Sequence, residues 1–426
     1  MKKYLTDIKN NIIHKEITIK ENKFKYHERN VTKIYDKEIT RFLGMGGAIT
    51  EASAINYSKL SSENKEKFLN DYYSSSGLNY NFARISIGSN DFSVKHFEYS
   101  KKKDLSDFSI SHDMEYIIPL IKDTLEKKEL NIIASPWSPP VMYKTIKTPY
   151  LGTKLRKDYY EDYSKFLIKF LSEYKKIGIN IQYLTMQNEP LARQPWESCK
   201  FSLDEQKDFI YNHLLDKLDD TKLLLWDHNK EMLYDNFKYL YLKNKKIAGI
   251  GFHYYTGRHF NNIKLIHDEY PDALLVNTEM CCGFSKYNEI NWIKDAETYL
   301  IDIIGDLNNG VNAYLDWNIL LNEHGGPNHL FNYCKSPIIL NGDNYIKTPI
   351  YYYLYHISHF IDNGRITYNS SYTSDLHILS IKNDNKIVIV IMNNKDRDYK
   401  YNLYINDIYI KDEIRAHTVI TYEKDL

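Results

Sequence analysis

Residues 158–190, DYYEDYSKFLIKFLSEYKKIGINIQYLTMQNEP, join a long amphipathic segment to a short apolar one. The first part predicts a helix over 158–176, because its apolar residues recur at spacings of three and four: Phe166, Leu167, Phe170, Leu171 and Tyr174. The second part predicts a strand over 181–186, and a similar strand is predicted ahead of the helix at 130–135. A strand, a helix and a second strand in this order predict parallel pairing with a right-handed crossover.

The same unit recurs along most of the chain. Further strands are predicted at 41–50, 80–87, 222–226, 247–252, 273–277 and 311–315. Further helices are predicted at 61–75, 114–125, 232–243, 261–269, 292–307 and 350–361. Ser202, followed by Glu205 three residues later, is typical of a capping box at the start of one more helix. Eight such units favour an α/β fold of the (β/α)8 TIM-barrel type over an open doubly wound sheet.

Both ends of the chain differ from this pattern. After Gly364, apolar runs at 376–382, 386–393 and 401–405 alternate with turn residues, and no helical stretch follows. The segment 12–34 has a similar short-strand character, and both regions are typical of antiparallel β-structure. We therefore predict a barrel over 38–363 and a small β-sandwich side domain formed by 1–37 together with 364–426.

Composition excludes several classes of protein. Lys plus Arg number 56 and Asp plus Glu also number 56, so the basic excess that accompanies nucleic-acid or anionic-membrane binding is absent. No run of about 20 apolar residues predicts a transmembrane helix. Residues 1–20 lack the apolar core of a secretory signal, so we expect the cytoplasm, with secretion after removal of a presequence left open.

The cysteines indicate neither a disulfide scaffold nor a zinc site. They number four, lack paired spacing, and lie at Cys199, Cys281, Cys282 and Cys334. The adjacent Cys281 and Cys282 are interpreted as packed thiols. We expect no metal and no other cofactor.

Two glutamates follow predicted strands: Glu189 follows the fourth and Glu279 ends the seventh. Because the active site of such a barrel lies at the C-terminal ends of its strands, both face one rim. Glycoside hydrolysis needs one carboxylic acid to protonate the leaving oxygen and a second carboxylate to attack or to activate water. Strand ends across the barrel axis can bring two carboxyls to the roughly 5–5.5 Å separation of retaining enzymes. Each glutamate alone also fits a solvated loop carboxylate, but together they favour a retaining glycosidase.

Further motifs occur in order along nearly the whole chain. They are Gly44-Met-Gly-Gly-Ala-Ile-Thr-Glu-Ala-Ser-Ala-Ile-Asn56, Asp91-Phe-Ser93, Ala134-Ser-Pro-Trp-Ser-Pro139, Asn188-Glu-Pro190, Thr278-Glu279, Asp316-Trp-Asn-Ile-Leu-Leu-Asn322, Gly325-Gly-Pro-Asn328, Asn332 and Ser336-Pro-Ile-Ile339. In these stretches the chain resembles glycoside hydrolase family 30, the family of the glucosylceramidases. The resemblance implies a barrel with a β-sandwich made from both chain ends, and a retaining β-glycosidase acting on a β-linked glucoside or related sugar, with a carbohydrate or glycolipid as substrate.

The resemblance also assigns roles residue by residue. Glu189 matches the family's acid/base, Glu279 its nucleophile, and Arg84 the arginine that orients the nucleophile. The implied substrate-binding residues are Glu51, Trp137, Asn188, His253, Tyr255, Trp317 and Asn332. Two alternatives stay open here, because Arg84 also fits an ion pair within a barrel layer and His253 a hydrogen-bonded core histidine.

Glu51 departs from the family pattern. The resemblance implies that glucosylceramidases have Asp at this position, where it binds hydroxyls on the far side of the sugar. The additional methylene of Glu51 shifts such a contact by more than a hydrogen bond tolerates unless the pocket adjusts. We therefore expect Glu51 to contact the sugar and leave the identity of the sugar open.

Other functions fit parts of the sequence. Within the family, β-fucosidase, β-xylosidase, β-galactosidase and β-1,6-glucanase activities stay open, because the pocket and not the fold decides among them. A carbohydrate-binding protein without catalysis is disfavoured, because both glutamates are present. A metalloenzyme is disfavoured, because neither His253 with His259 nor His324 with His329 has a metal-binding spacing with a third ligand. Oligomeric state, aglycone and exo or endo action are left open.

Overall fold

The computed structural model describes residues 1–23, 29–283 and 291–426. The chain begins with four strands, β1 (Lys2–Asp7), β2 (Ile12–Thr18), β3 (Asn22–Lys23) and β4 (Val31–Phe42). β1 and β2 pair as an antiparallel hairpin. The segment 12–34, predicted to contain short strands, includes β2, β3 and the start of β4. Its residues 24–28 lie outside the described residues.

Eight parallel strands close into a barrel, which confirms the predicted TIM barrel. In chain order they are β5 (Gly44–Ala48), β6 (Phe82–Ile87), β7 (Asn131–Pro136), β8 (Tyr183–Thr185), β9 (Lys222–Asn229), β10 (Ile247–His253), β11 (Leu274–Glu279) and β12 (Ala313–Asp316). Buried apolar side chains fill the barrel interior, among them Phe82, Ile133, Leu224 and Val276. The barrel is therefore a packed core, and function is confined to its ends.

Nine helices of the described chain accompany the strands. They are α1 (Glu51–Ser58), α2 (Ser62–Tyr73), α3 (Ile117–Lys127), α4 (Tyr160–Lys176), α5 (Leu203–Phe209), α6 (Leu233–Leu240), α7 (Phe260–Glu269), α8 (Trp292–Asn308) and α9 (Pro349–Ser358). The predicted capping box is present at α5, where Ser202 and Glu205 each accept a backbone N–H of the other. Helix α1 was not predicted. It begins at Glu51 because the Thr50 hydroxyl accepts the backbone N–H of Ser53 at 3.1 Å.

The remaining strands complete the side domain. A hairpin of β13 (Ile338–Asn341) and β14 (Asn344–Lys347) precedes α9, and six strands follow it: β15 (Gly364–Ser371), β16 (Leu376–Lys382), β17 (Lys386–Asn393), β18 (Tyr399–Ile405), β19 (Ile408–Ile414) and β20 (Thr418–Asp425). These six join β1 to β4 in one ten-stranded sheet of order β2-β1-β20-β17-β16-β15-β4-β18-β19-β3.

The ten-stranded sheet folds over onto itself. The hydroxyls of Tyr401 on β18 and Tyr422 on β20 are in contact although these strands are far apart in the sheet order. Lys3 on β1 likewise pairs with Asp412 on β19 at 2.5 Å. An apolar core, which includes Ile389 and Leu403, lies between the two layers. The predicted β-sandwich built from both chain ends is thereby confirmed.

A buried histidine joins the barrel to the sandwich. His356 on α9 contacts the hydroxyl of Thr421 at 2.8 Å and that of Thr6 at 2.7 Å. Burial holds the pKa of His356 well below its ordinary value, so the ring is neutral at this junction. Across residues 1–23, 29–283 and 291–426, no helix is both long and apolar enough to cross a membrane.

Candidate active site

A cavity of about 370 Å³ opens at the C-terminal ends of the barrel strands. Seven residues predicted to form the site line it: Trp137, Asn188, Glu189, Tyr255, Glu279, Trp317 and Asn332. The structure therefore brings together side chains that are up to 195 positions apart in sequence at the place where barrels of this kind bind substrates.

Glu189 lies just beyond β8 in the left-handed backbone region, with φ of 47°. Its N–H donates to the carbonyl of Asp227 at 2.9 Å, which holds this strained turn against β9. Its carboxylate lies 3.2 Å from Nδ1 of His253 and accepts from Nε2 of Gln194 at 3.2 Å. Burial opposes ionisation of Glu189, but the hydrogen bond and charge of His253 lower its pKa to about 2. Glu189 and His253 thus form a pair in which the proton rests on the imidazole.

Glu279 is the last residue of β11, and both of its carboxylate oxygens are held. Arg84 donates from Nη1 to Oε2 at 2.5 Å, and the Tyr255 hydroxyl donates to Oε1 at 2.7 Å. Nε2 of His253 is 3.9 Å from Oε2. One imidazole ring therefore lies between the carboxylates of Glu189 and Glu279, and Arg84 and Tyr255 fix the direction in which Glu279 points.

Arg84 on β6 is fully buried beneath the cavity and does not line it. Besides Glu279, its guanidinium donates to Asn188 Oδ1 at 2.8 Å, to Asp227 Oδ2 at 2.9 Å and to Ser135 at 3.2 Å. Because Oδ1 of Asn188 accepts from Arg84, its NH₂ group is left to donate into the cavity. The ion pair that was the alternative reading of Arg84 is present, between Arg84 and Asp227. The same guanidinium also orients Asn188 and Glu279.

Asp227 was not predicted as a site residue, although it directly follows the predicted fifth strand. It accepts from Arg84, from the hydroxyls of Thr185 (2.7 Å) and Thr278 (2.6 Å), and lies 3.2 Å from Nε2 of His253. Burial opposes its ionisation, but the charge of Arg84 and these contacts hold the pKa of Asp227 well below its ordinary value. Asp227 is therefore the buried anion that balances Arg84 and sets the orientation of the His253 ring.

Two tryptophans form one wall of the cavity. The rings of Trp137 and Trp317 stack with centroids 5.4 Å apart and planes 17° apart. The guanidinium carbon of Arg84 lies 4.8 Å from the Trp137 ring centre and 5.5 Å from that of Trp317. This wall presents a rigid apolar face of the kind that packs against the C–H groups of a sugar.

Asp91, the first residue of the Asp91-Phe-Ser93 motif, also lines the cavity, although it was not predicted as a site residue. Asn332 donates to its Oδ2 at 2.7 Å, whereas its buried Oδ1 has no hydrogen-bond partner among the described residues. Burial and the charge of Glu279 raise the pKa of Asp91 to about 8. A buried carboxyl oxygen without a partner is costly, so Asp91 in the cavity lining is a candidate for ligand binding.

Glu51 is not brought to the cavity. As the first residue of α1 it points towards the loop after β6, where Oε1 lies 3.0 Å from Nε2 of His112 and Oε2 accepts the N–H of Val94 at 3.2 Å. Its side chain is 5% exposed and does not line the cavity. The predicted contact of Glu51 with the sugar therefore stays a prediction. In the structure its carboxylate holds the loop that follows Asp91.

The rest of the lining combines amides, aromatic rings and thiols. The residues not singled out from sequence are Gln194, Trp196, Asn229, Tyr254, Cys281, Gly283, Tyr333 and Cys334. Most lie in loops that no strand pattern marks. Within the described part of the chain, no three His, Cys, Asp or Glu side chains are grouped in a way that could hold a metal ion. The site therefore combines two carboxylates, Glu189 and Glu279, with a histidine ring between them and a cavity large enough for a sugar.

Known proteins share this architecture. The glycosyl hydrolase family 30 TIM-barrel domain matches residues 42–361. The chain is 29% identical to lysosomal acid glucosylceramidase of Mus musculus, over 91% of this chain and 82% of that protein. It is 23% identical to an endo-1,6-beta-D-glucanase of Neurospora crassa, over 88% of this chain and 82% of that protein. The crystal structure of SrfJ from Salmonella typhimurium matches with a TM-score of 0.95 and 29% identity, covering 100% of this chain and 99% of that one.

Proposed function

We propose that this chain cleaves β-linked glucosides with retention of configuration. It belongs to glycosyl hydrolase family 30 and is therefore a β-glycosidase. Glu279 is the nucleophile and Glu189 the acid/base. The observation that supports this assignment is the difference between the surroundings of the two glutamates. Glu279 is held by Arg84 and Tyr255, whereas Glu189 contacts the titratable ring of His253.

In the first step a carboxylate oxygen of Glu279 attacks the anomeric carbon, and the bond to the leaving oxygen breaks. The donors on both Glu279 oxygens fix the direction in which the carboxylate points, which is what a nucleophile requires. The leaving oxygen takes a proton from Glu189. Because the proton of the resting pair rests on His253, the 3.2 Å contact is the route by which Glu189 acquires it.

In the second step Glu189 acts as a base. It takes a proton from water, whose oxygen attacks the anomeric carbon and releases Glu279. While Glu279 is esterified it carries no charge, and this charge is among the groups that raise the pKa of His253. Loss of that charge lowers the pKa of His253, so the ring that gave up its proton in the first step stays neutral until Glu279 is released, and it then takes the water proton from Glu189. The two displacements together restore the original configuration.

The cavity fits a single sugar ring better than an extended chain. Its volume of about 370 Å³ lies at the small end of ligand sites. The polar side chains of its lining include Asn188, Asp91 and Asn332, and the stacked tryptophans form one wall. By similarity to lysosomal acid glucosylceramidase we infer a β-glucoside with a lipid aglycone as substrate and propose a role in sphingolipid metabolism. The second candidate, β-1,6-glucan, is favoured by the similarity to the Neurospora crassa enzyme.

The stereochemical test is proton NMR of the first minutes of hydrolysis of an aryl β-glucoside. We expect the β-anomer of the free sugar to appear first and to mutarotate afterwards. An initial α-anomer would show a single displacement and would overturn the role of Glu279 as nucleophile.

The substrate test compares three substrate classes at equal enzyme concentration. They are aryl β-glycosides of four configurations (gluco, galacto, fuco and xylo), glucosylceramide in mixed micelles, and β-1,6-glucan. We expect the gluco-configured glycoside and glucosylceramide to be cleaved with the highest kcat/KM. Preference for β-1,6-glucan with release of oligosaccharides would favour the second candidate instead.

A further inference from the structure

Two buried thiols lie in the cavity wall beside the proposed nucleophile. Sγ of Cys281 and Sγ of Cys334 are 2.8 Å apart, and each residue is 5% exposed. Both line the cavity, so a small solute that enters it reaches them. Cys281 follows Glu279 by two residues, and its Sγ lies 3.5 Å from the Tyr255 hydroxyl that donates to Glu279. The chemistry proposed above uses neither thiol.

The backbone holds the two segments that carry these cysteines side by side. Gly283 and Cys334 form an antiparallel bridge, and the N–H of Lys335 donates to the carbonyl of Cys282 at 2.8 Å. Neither of the other cysteines competes for this geometry. The thiol of Cys282 faces the Tyr254 hydroxyl at 3.8 Å, and Cys199 is buried near Lys144, away from the cavity lining.

We propose that Cys281 and Cys334 are a reversible oxidation site at which a low-molecular-weight disulfide, such as oxidised glutathione, forms an intramolecular disulfide bond. One thiol loses its proton and attacks the small disulfide, which gives a mixed disulfide and one small thiol. The second cysteine thiolate then attacks the mixed disulfide, which forms the Cys281–Cys334 bond and releases the second small thiol. The protein loses two electrons and two protons, and the oxidant gains them.

Closure of this bond fits the folded protein. The sulfur atoms need to move by less than about 1 Å to reach a covalent S–S distance. The bond would tie the segment that carries Asn332 to the end of β11 that carries Glu279. Asn332 donates to Asp91 at 2.7 Å, so the disulfide bond would hold this part of the cavity wall in its present position. The cavity would stay open. We expect a stabilised enzyme that stays active.

The reaction is slow at neutral pH. The contact with Cys334 and burial raise the pKa of the Cys281 thiol well above its ordinary value. The same contact lowers the pKa of Cys334, but burial and the nearby carboxylates outweigh it, so that pKa is raised as well. Because the thiolate is the attacking species, the rate of bond formation rises with pH.

The experiment incubates the folded protein with oxidised glutathione at pH 7 and at pH 8.5, blocks the remaining thiols with iodoacetamide and maps peptides by mass spectrometry. We expect a Cys281–Cys334 crosslinked peptide that forms faster at pH 8.5, a melting temperature higher by several degrees, and reversal by dithiothreitol. Glycosidase activity of the oxidised protein should stay within about twofold. A Cys199→Ser/Cys282→Ser variant keeps the pair and should crosslink like the wild type.

Two results would overturn the proposal. One is recovery of both cysteines as alkylated or glutathione-bound peptides, or a crosslink that involves Cys282. The other is a crosslinked enzyme that has lost activity or melts at a lower temperature, because then the bond does not fit the native wall. Peptide mapping and melting need no substrate, so a failure of the crosslink in these two measurements is distinguishable from a failure of the proposed roles of Glu189 and Glu279.

Discussion

At the scale of single residues, the two glutamates differ mainly in the groups that hold them. Glu279 accepts from Arg84 and Tyr255, which carry fixed donors, whereas Glu189 lies against His253, a titratable ring whose pKa the neighbouring carboxylates raise to about 9. Two strand-end carboxylates could be picked from the sequence, but this difference could not. It depends on the ring of His253, whose contacts appear only when β8, β9, β10 and β11 lie side by side.

Glu189→Ala should separate the two steps. With a poor leaving group we expect kcat to fall by roughly 10²- to 10⁴-fold, because the leaving oxygen no longer receives a proton. With a dinitrophenyl leaving group formation of the glycosyl-enzyme should survive, and azide should speed turnover and yield a β-glycosyl azide. Glu279→Ala is the matched control and should be inactive on both substrates. Azide rescue that gave an α-glycosyl azide from Glu189→Ala would contradict the assignment.

Asp91 and Glu51 provide a matched pair of carboxylates, one in the cavity and one behind it. Asp91→Ala should lower kcat/KM for the preferred glycoside by roughly 10- to 100-fold, as expected for loss of strong hydrogen bonds to a sugar. Glu51→Gln should keep the ratios of kcat/KM among gluco, galacto, fuco and xylo substrates within about twofold, because its oxygens contact His112 and Val94. A changed sugar ranking in Glu51→Gln would show that Glu51 reads the substrate after all.

At the scale of elements, periodicity located the strands to within a few residues, and the capping box at α5 was predicted from Ser202 and Glu205 alone. Helix α1 was missed because its sequence, EASAINYS, directly follows a strand and shows no apolar stripe. Glu51, which the sequence placed directly after a strand, is the first residue of this helix.

Removal of the α5 cap should cost measurable stability. In Ser202→Ala the backbone N–H of Glu205 loses its acceptor, so we expect the free energy of unfolding to fall by about 0.5–2 kcal/mol. Urea unfolding gives the measurement. Ser172→Ala, which changes a serine inside α4, is the control and should leave the stability unchanged or slightly higher. Equal midpoints for wild type and Ser202→Ala would show that water replaces the cap without cost.

At the scale of the whole molecule, buried charged groups make the free energy of unfolding depend on pH. Burial lowers the pKa of His253, but the carboxylates of Glu279, Asp227 and Glu189 together raise it to about 9. His96 is also raised to about 9, against burial, by Glu197 and Glu98. A histidine whose folded-state pKa exceeds its unfolded value of about 6.5 stabilises the fold fully below that pH, and the contribution is lost as pH rises through about 9.

The stability of the protein should therefore depend on these histidines between pH 6.5 and pH 9. We expect the drop in urea midpoint from pH 6.5 to pH 9 to be smaller in a His253→Asn/His96→Asn variant than in the wild type. Comparing the two drops removes the contributions of other groups that titrate in this window. An equal or larger drop in the variant would contradict the raised pKa values. Deprotonation of His253 also removes the proton that Glu189 donates, so activity should decline over the same alkaline range.

The pairing of β1 with β20 has a consequence for the order of folding. Leu5 pairs with Ile420, so strands 415 residues apart along the chain must meet before the ten-stranded sheet is complete. During synthesis, residues 44–358, which include the whole barrel, leave the ribosome before β20 exists. Until then β1 and β17 have unpaired edges of the kind that promote aggregation. We expect nascent chains that stop before Thr418 to hold a folded barrel and to bind chaperones through these two edges.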